Sequence, residues 1–224
     1  MSSMPPSSPA PGPARRSRFT PLALLTGVLG VVILALSMNS SLAAFTASIT
    51  NSVNTAAAGT LIMQEQNAAG TTTCLSTDGT GNNVATNAAT CSTINKYGAS
   101  TTMVPGQTVS TTVTIKNVGT APATSFTLAP GTCTQSGNVT GSATDLCAKL
   151  GVVLTQTVGS TTTTITPASS TLTSLSSGGA LTLTAPVPAG TTVSFTFAVT
   201  LASSAGNTYQ GLAASQPLVW TFTS

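Results

Sequence analysis

Histidine is absent from all 224 residues, and charged side chains make up only 4% of them. A zinc hydrolase needs imidazole ligands and a carboxylate base, and a serine nucleophile needs a base to activate it. The chain has three acids, Glu65, Asp78 and Asp145, too scattered for paired-carboxylate chemistry. Glu65, between Gln64 and Gln66, reads as a solvated charge. Asp78 in Thr77-Asp78-Gly79 reads as a turn residue before a calcium ligand, and Asp145 as the cap of a short turn. The expectation is no enzyme: no catalytic residue, no metal and no cofactor. Aromatic residues are also scarce, at 4%. Phe195, Phe197, Trp220 and Phe222 fall on core faces, which leaves Tyr97 and Tyr209 as exposed contacts. Such a surface offers little to a sugar or small ligand.

The net charge of +3 does not describe the body of the chain. Arg15, Arg16 and Arg18 precede an apolar run, and beyond it Lys96, Lys116 and Lys149 balance the three acids. Nucleic-acid binding needs a clustered basic footprint, so nucleic acid is excluded as a partner. Thr, Ser, Asn and Gly replace charge in keeping the surface wet, and Thr and Val suit the pleated surface of a sheet.

The first 44 residues read as targeting. Residues 1–20 form a Ser/Pro-rich, basic n-region expected to be disordered, and 21–44 form a signal peptide or transmembrane helix. Pro21 to Met38 is about the minimum length that spans a bilayer. The small residues Ser41-Leu42-Ala43-Ala44 suit a signal peptidase, with cleavage after Ala43 or Ala44. The alternative is an uncleaved anchor that holds the chain on the membrane. A twin-arginine signal fits poorly, because Arg18 stands where that motif wants Phe.

Cys74, Cys91, Cys133 and Cys147 all lie beyond this segment. An even number in an exported chain suggests two disulfides, with three connectivities open. The local pairs Cys74–Cys91 and Cys133–Cys147 are favoured, since each closes a Gly/Asn/Thr-rich stretch with little else to pack. Zinc would need short spacings such as Cys-x-x-Cys, which do not occur.

Strict alternation marks strands over Val109–Asn117, Val193–Leu201 and around Leu218, Trp220 and Phe222. Weaker candidates are Phe45–Thr50, Thr60–Gln64, Ser125–Leu128, Val152–Thr157, Thr162–Ile165 and Leu181–Ala185. Pro105-Gly106, Val118-Gly119, Pro130-Gly131, Ser177-Gly178-Gly179 and Pro188-Ala189-Gly190 supply turns. After Ala44 no helical stripe stands out, and Ala143–Leu150 allows a turn or two of helix. The pattern predicts an all-β fold, with residues 45–224 as a single antiparallel β-sandwich. Asn138-Val139-Thr140 matches the N-glycosylation pattern, and the Thr161–Thr164 run could carry O-linked sugars; strand propensity explains that run equally well.

Three stretches resemble the camelysin/TasA-type exported proteins: Ala43–Leu61 with Ala-Ala-Phe and Gly59-Thr60-Leu61, Met103–Leu128 with its Pro-Gly turn and Asn-x-Gly turn, and Tyr209–Thr223. Together they cover under half the chain. The family members are more charged and lack this cysteine set; the hydroxyl-rich, disulfide-bearing version looks like an actinobacterial relative. The resemblance implies a jelly-roll-like sandwich that polymerises, with itself or a related surface subunit, into surface or biofilm-matrix fibres. In such fibres the mature N-terminal segment is donated as a strand to the next subunit. Phe45, Ala47 and Ile49 alternate on one face and make Phe45–Asn51 the candidate donor. The same segment could equally be the domain's own edge strand or a tether. A monomeric Ig-like adhesion module is the alternative function. A camelysin-like peptidase is disfavoured by the missing histidine.

Overall fold

The computed structural model describes residues 27–33, 48–49, 53–79 and 86–224. The chain divides into two units, Met1–Thr55 and Ala56–Ser224. In the first, 27–33 form a helix, α1, with exposed side chains. Among the described residues no helix is long and apolar enough to cross a membrane. Most of the expected span Pro21–Met38 lies outside the described residues, as do Ala43, Ala44, Phe45 and Ala47. Of the expected Phe45–Thr50 strand, Ser48 and Ile49 are described, exposed and not in a strand.

The second unit is built of antiparallel strands. Six form one sheet in the order β2-β1-β3-β9-β6-β7. These strands are β1 (Met63–Asn67), β2 (Thr73–Leu75), β3 (Thr108–Asn117), β6 (Leu150–Val158), β7 (Thr161–Thr164) and β9 (Thr192–Leu201). Three more form a second sheet in the order β11-β4-β8, from β4 (Ser125–Pro130), β8 (Leu181–Thr182) and β11 (Leu218–Thr223). A separate pair joins β5 (Thr134–Ser136) to β10 (Ala213–Ser215). Two short helices, α2 (Leu146–Lys149) and α3 (Leu172–Ser177), complete the described elements, with a 3₁₀ turn at Asn207–Tyr209.

The alternation read in the sequence is the alternation of burial. In β9, Val193, Phe195, Phe197, Val199 and Leu201 are buried while the residues between them are partly open. β3 does the same with Val113 and Ile115, and β6 with Leu150, Val152 and Leu154. The opposite face of the six-stranded sheet carries hydroxyls. Thr108 meets Thr200 at 2.7 Å and Thr112 meets Thr196 at 3.0 Å, oxygen to oxygen, across β3 and β9. Such directly opposed pairs add to sheet stability without charge.

Rings from the three-stranded sheet meet rings from the six-stranded one. Phe126 of β4 lies edge-on to Phe195 at 5.6 Å, and Trp220 of β11 lies 4.7 Å from Phe195 and 6.2 Å from Phe197. Phe126, Phe195 and Phe197 are almost completely buried. Asn117 fixes the corner where β3 ends. Fully buried, it donates from Nδ2 to the carbonyls of Ala121 and Val187, and its Oδ1 accepts from the Gly119 N–H. A side chain at Gly119 would run into the backbone of Thr60, so that turn requires glycine.

Several expected elements shift. Thr60–Ile62 does not continue β1. It bonds the turn after β3, where Val118 donates to the Ile62 carbonyl and Thr120 to that of Thr60. The Leu181–Ala185 strand shrinks to Leu181–Thr182, with the Thr184 N–H held instead by the Gln156 side chain at 3.0 Å. Unforeseen are α3 and the three-residue strands β2, β5 and β10. Helix α3 is set by a reciprocal cap in which Thr171 Oγ1 accepts from Ser174 N while the Ser174 hydroxyl accepts from Thr171 N. Asp145 precedes α2 without capping it through its side chain; its Oδ1 accepts from the Tyr209 hydroxyl at 2.6 Å. That hydrogen bond, with help from the carboxylate's charge, raises the Tyr209 pKa.

The cysteines form the local pairs Cys74–Cys91 and Cys133–Cys147, which span 17 and 14 residues. Stable disulfides belong to chains matured in oxidising compartments. Replacing both Cys133 and Cys147 with alanine should cost about 3 kcal/mol, read from denaturant unfolding. Phe126→Ala should cost about 3–5 kcal/mol, because it removes a ring that cannot be replaced by collapse at the meeting of two sheets.

Candidate functional site

Strand parity decides which backbone groups of β11 are free. The Gly131 N–H donates to the Pro217 carbonyl at 2.8 Å, and β11 pairs with β4 in the register that places Val219 opposite Ala129 and Thr221 opposite Thr127. In an antiparallel ladder alternate residues carry the bonds. Val219 and Thr221 therefore point their N–H and C=O groups at β4, while those of Leu218, Trp220 and Phe222 point away from it. β11 is the end strand of its sheet, so these groups form an open edge. Their side chains face inward and remain half-buried, whereas the equivalent residues of β9 are fully covered.

Beside this edge lies a groove of about 1090 Å³. Trp220, Phe222, Leu61, Met63, Tyr97 and Met103 are among the residues that line it. Residues within 87–101 also line it, as do both cysteines of the Cys74–Cys91 disulfide. Tyr97 pins that segment down. Its ring packs edge-on to Phe197 at 6.2 Å, and its hydroxyl donates to Gln216 Oε1 at 2.7 Å. Gln216 Nε2 in turn faces the Gly131 carbonyl at 2.8 Å and Ser176 Oγ at 2.9 Å. One side chain thus ties the groove wall to the end of β4 and to α3.

The groove holds two polar features that the sequence did not announce. Glu65, expected to be solvated, is buried. It sits on the inner face of β1 beside Ile115, and Lys96 Nζ lies 2.8 Å from its Oε1, the two side chains being 8% and 11% exposed. The approach is an ion pair outside hydrogen-bond alignment. The parity of Met63, Glu65 and Asn67 against Gln64 and Gln66 was the available signal, and it does not say which set faces in. The second feature is Trp220 Nε1, a buried donor without a hydrogen-bond partner among the described residues.

Among the described residues, no group of three or more His, Cys, Asp or Glu side chains could hold a metal ion. Asp78 accepts from the Leu75 N–H through Oδ2 at 2.6 Å, closing the turn after β2. Of the candidate donor residues, Ile49 is described, and Phe45 and Ala47 lie outside the described residues. No protein-family model matches the chain, and no curated protein matches it.

The ion pair and Tyr97 each yield a test. Breaking a buried pair leaves an uncompensated charge, so Glu65→Leu or Lys96→Met alone should each cost about 3–5 kcal/mol, and the double variant should regain most of that loss. Four denaturant curves complete the cycle. Burial raises the Tyr97 pKa. A group raised in the folded state is fully stabilising below its unfolded pKa and loses that contribution above it. Thermal stability should therefore fall as pH rises above about 10, the unfolded tyrosine value, and should fall less steeply in Tyr97→Phe.

Proposed function

We propose that the chain is an exported, non-catalytic structural subunit of a surface or matrix fibre, a jelly-roll-like β-sandwich completed by a strand from a second copy or a related surface subunit. The observation that carries this is the open edge of β11 beside a groove lined in part by Trp220, Phe222, Met63 and Met103. An added strand would pair with the free groups of Leu218, Trp220 and Phe222, cover their half-buried side chains and remove an exposed edge. Ring contacts between a six-stranded and a three-stranded sheet support the sandwich reading and its incompleteness together.

The segment Phe45–Asn51 suits the role. Fully extended, seven residues reach about 23 Å at 3.3 Å each, enough to run along the six residues of β11. Phe45, Ala47 and Ile49 would enter the groove, and Thr46, Ser48 and Thr50 would face outward like the hydroxyls of the neighbouring strands. Donation to the next subunit is a head-to-tail contact, which builds an open filament instead of a closed ring. The two disulfides and the resemblance of Ala43–Leu61, Met103–Leu128 and Tyr209–Thr223 to camelysin/TasA-type proteins support the same reading.

The chain contains a single tryptophan, and it lines the groove. A peptide of residues 44–55 added to a chain that begins at Ala56 should shift Trp220 emission to the blue as the indole is enclosed. A chain that begins at Phe45 should form fibres in negative-stain microscopy, and the Ile49→Asp variant should stay folded and monomeric. No emission shift, with fibres unchanged by Ile49→Asp, would overturn donation. Monomers with an intact N-terminus would favour the adhesion module.

A further inference from the structure

The six-stranded sheet also has an open edge, at β7. β7 is its last strand, and all four of its threonines are exposed. The Ile165 N–H donates to the Leu154 carbonyl at 2.8 Å, and the register places Gln156 opposite Thr163 and Val158 opposite Thr161. By the same parity rule, Thr161 and Thr163 bond β6, while the N–H and C=O groups of Thr162 and Thr164 face outward. The 2.8 Å contact between the Thr157 and Thr162 hydroxyls agrees, since side chains approach most closely in the pair without ladder bonds.

Edge strands are usually guarded by lysine, proline, a bulge or a covering segment. Among the described residues, β7 has none of these. No charged residue occurs anywhere from Leu150 to Ser224, so no repulsion keeps a second strand away. Proline is missing from Leu150 through Thr166 as well.

We infer that β7 is a self-association surface at which two copies pair antiparallel, β7 to β7, and join their six-stranded sheets. A twofold contact sets the same strand of each copy against the other, so it is self-complementary. With Thr163 on the axis, Thr162 of one copy faces Thr164 of the other. Each of those two pairs exchanges two backbone bonds, using every outward group of Thr162 and Thr164. Threonine hydroxyls would meet across the axis as they already do within the sheet. This contact is independent of strand donation and uses none of its residues. A four-residue edge buries less than the roughly 1,000 Å² of a durable interface. Pairing is therefore concentration-dependent when the subunit is free and stronger where many copies are already aligned.

The test uses the chain from Ala56, a compact unit that holds the core described above and both disulfides and lacks the donor segment. Light scattering over a concentration series should show a monomer–dimer equilibrium. Thr162→Pro should raise the dissociation constant tenfold or more with unchanged thermal unfolding, since it removes an outward N–H and spares the β6 ladder. Under mild oxidation Thr163→Cys should form disulfide-linked dimers well ahead of Ser203→Cys, an exposed control, with the native disulfides verified by peptide mass. A chain that stays monomeric at millimolar concentration, or Thr163→Cys cross-linking no faster than Ser203→Cys, would overturn the inference. Sugar mass on Thr161–Thr164 of the exported protein would overturn it too, because a glycan would cap the edge.

Discussion

Phe126 stands edge-on to Phe195, with Trp220 and Phe222 against its other sides at 5.8 and 4.6 Å, and this cluster is where the two sheets are held together. A chain with so few charges has little else to do that work. Ring contacts of this geometry add to the burial of their large apolar surface, and here four of the nine aromatic residues gather at one meeting point. Around it the aliphatic side chains of the same core, among them Val113, Ile115, Val152, Leu154 and Val187, are buried with it, while backbone ladders and hydroxyl pairs hold each sheet from within. The groove opens where this cluster ends, since Trp220 and Phe222 complete it and remain half-open at its margin.

Much of the fold was legible in the sequence because long strands with one covered face must alternate. β3, β9 and β11 fall where Val109, Val193 and Leu218 begin their alternating runs, and the turn glycines separate them. The three-residue strands β2, β5 and β10 could not be read in that way: too short to show a period, they exist because their neighbours hold them. Cys74 of β2 is tied to Cys91, and the Gln135 side chain of β5 accepts from the Leu146 N–H at 2.8 Å. Helix α3 escaped for the same reason, as six residues give less than two turns of apolar stripe. Its start was written in Thr171 and Ser174, a local signal that carries weight when the flanking leucines, Leu172 and Leu175, have a core to enter.

The groove was less legible. That Trp220 lies on an inward face follows from alternation; that its strand ends a sheet depends on which strands pair, and pairing between Ser125 and Thr223 crosses nearly a hundred residues. Glu65 shows the same limit. Flanked by two glutamines, it has the local look of a wet strand, and it is the partner Lys96, thirty-one positions away in a segment with no regular structure, that makes its burial tolerable. A buried ion pair adds little net stability over an apolar pair. It does tie the segment carrying Tyr97 to β1, and the Tyr97 hydroxyl ties the same segment to Gln216.

The distribution of lysine has a consequence of another kind. Beyond residue 18 the chain has no arginine and three lysines. Lys96 is buried against Glu65, Lys116 lies within β3, and Lys149 closes α2. Proteases that cleave after basic residues must thread an extended, unfolded stretch through their active sites; Lys116 and Lys149 sit in regular elements, and Lys96, in a turn, has its side chain buried where such an enzyme would have to bind it. For that whole class of enzyme the folded body presents almost no cleavable peptide bond, so its lifetime among them is set by how often it opens and not by how many sites it displays.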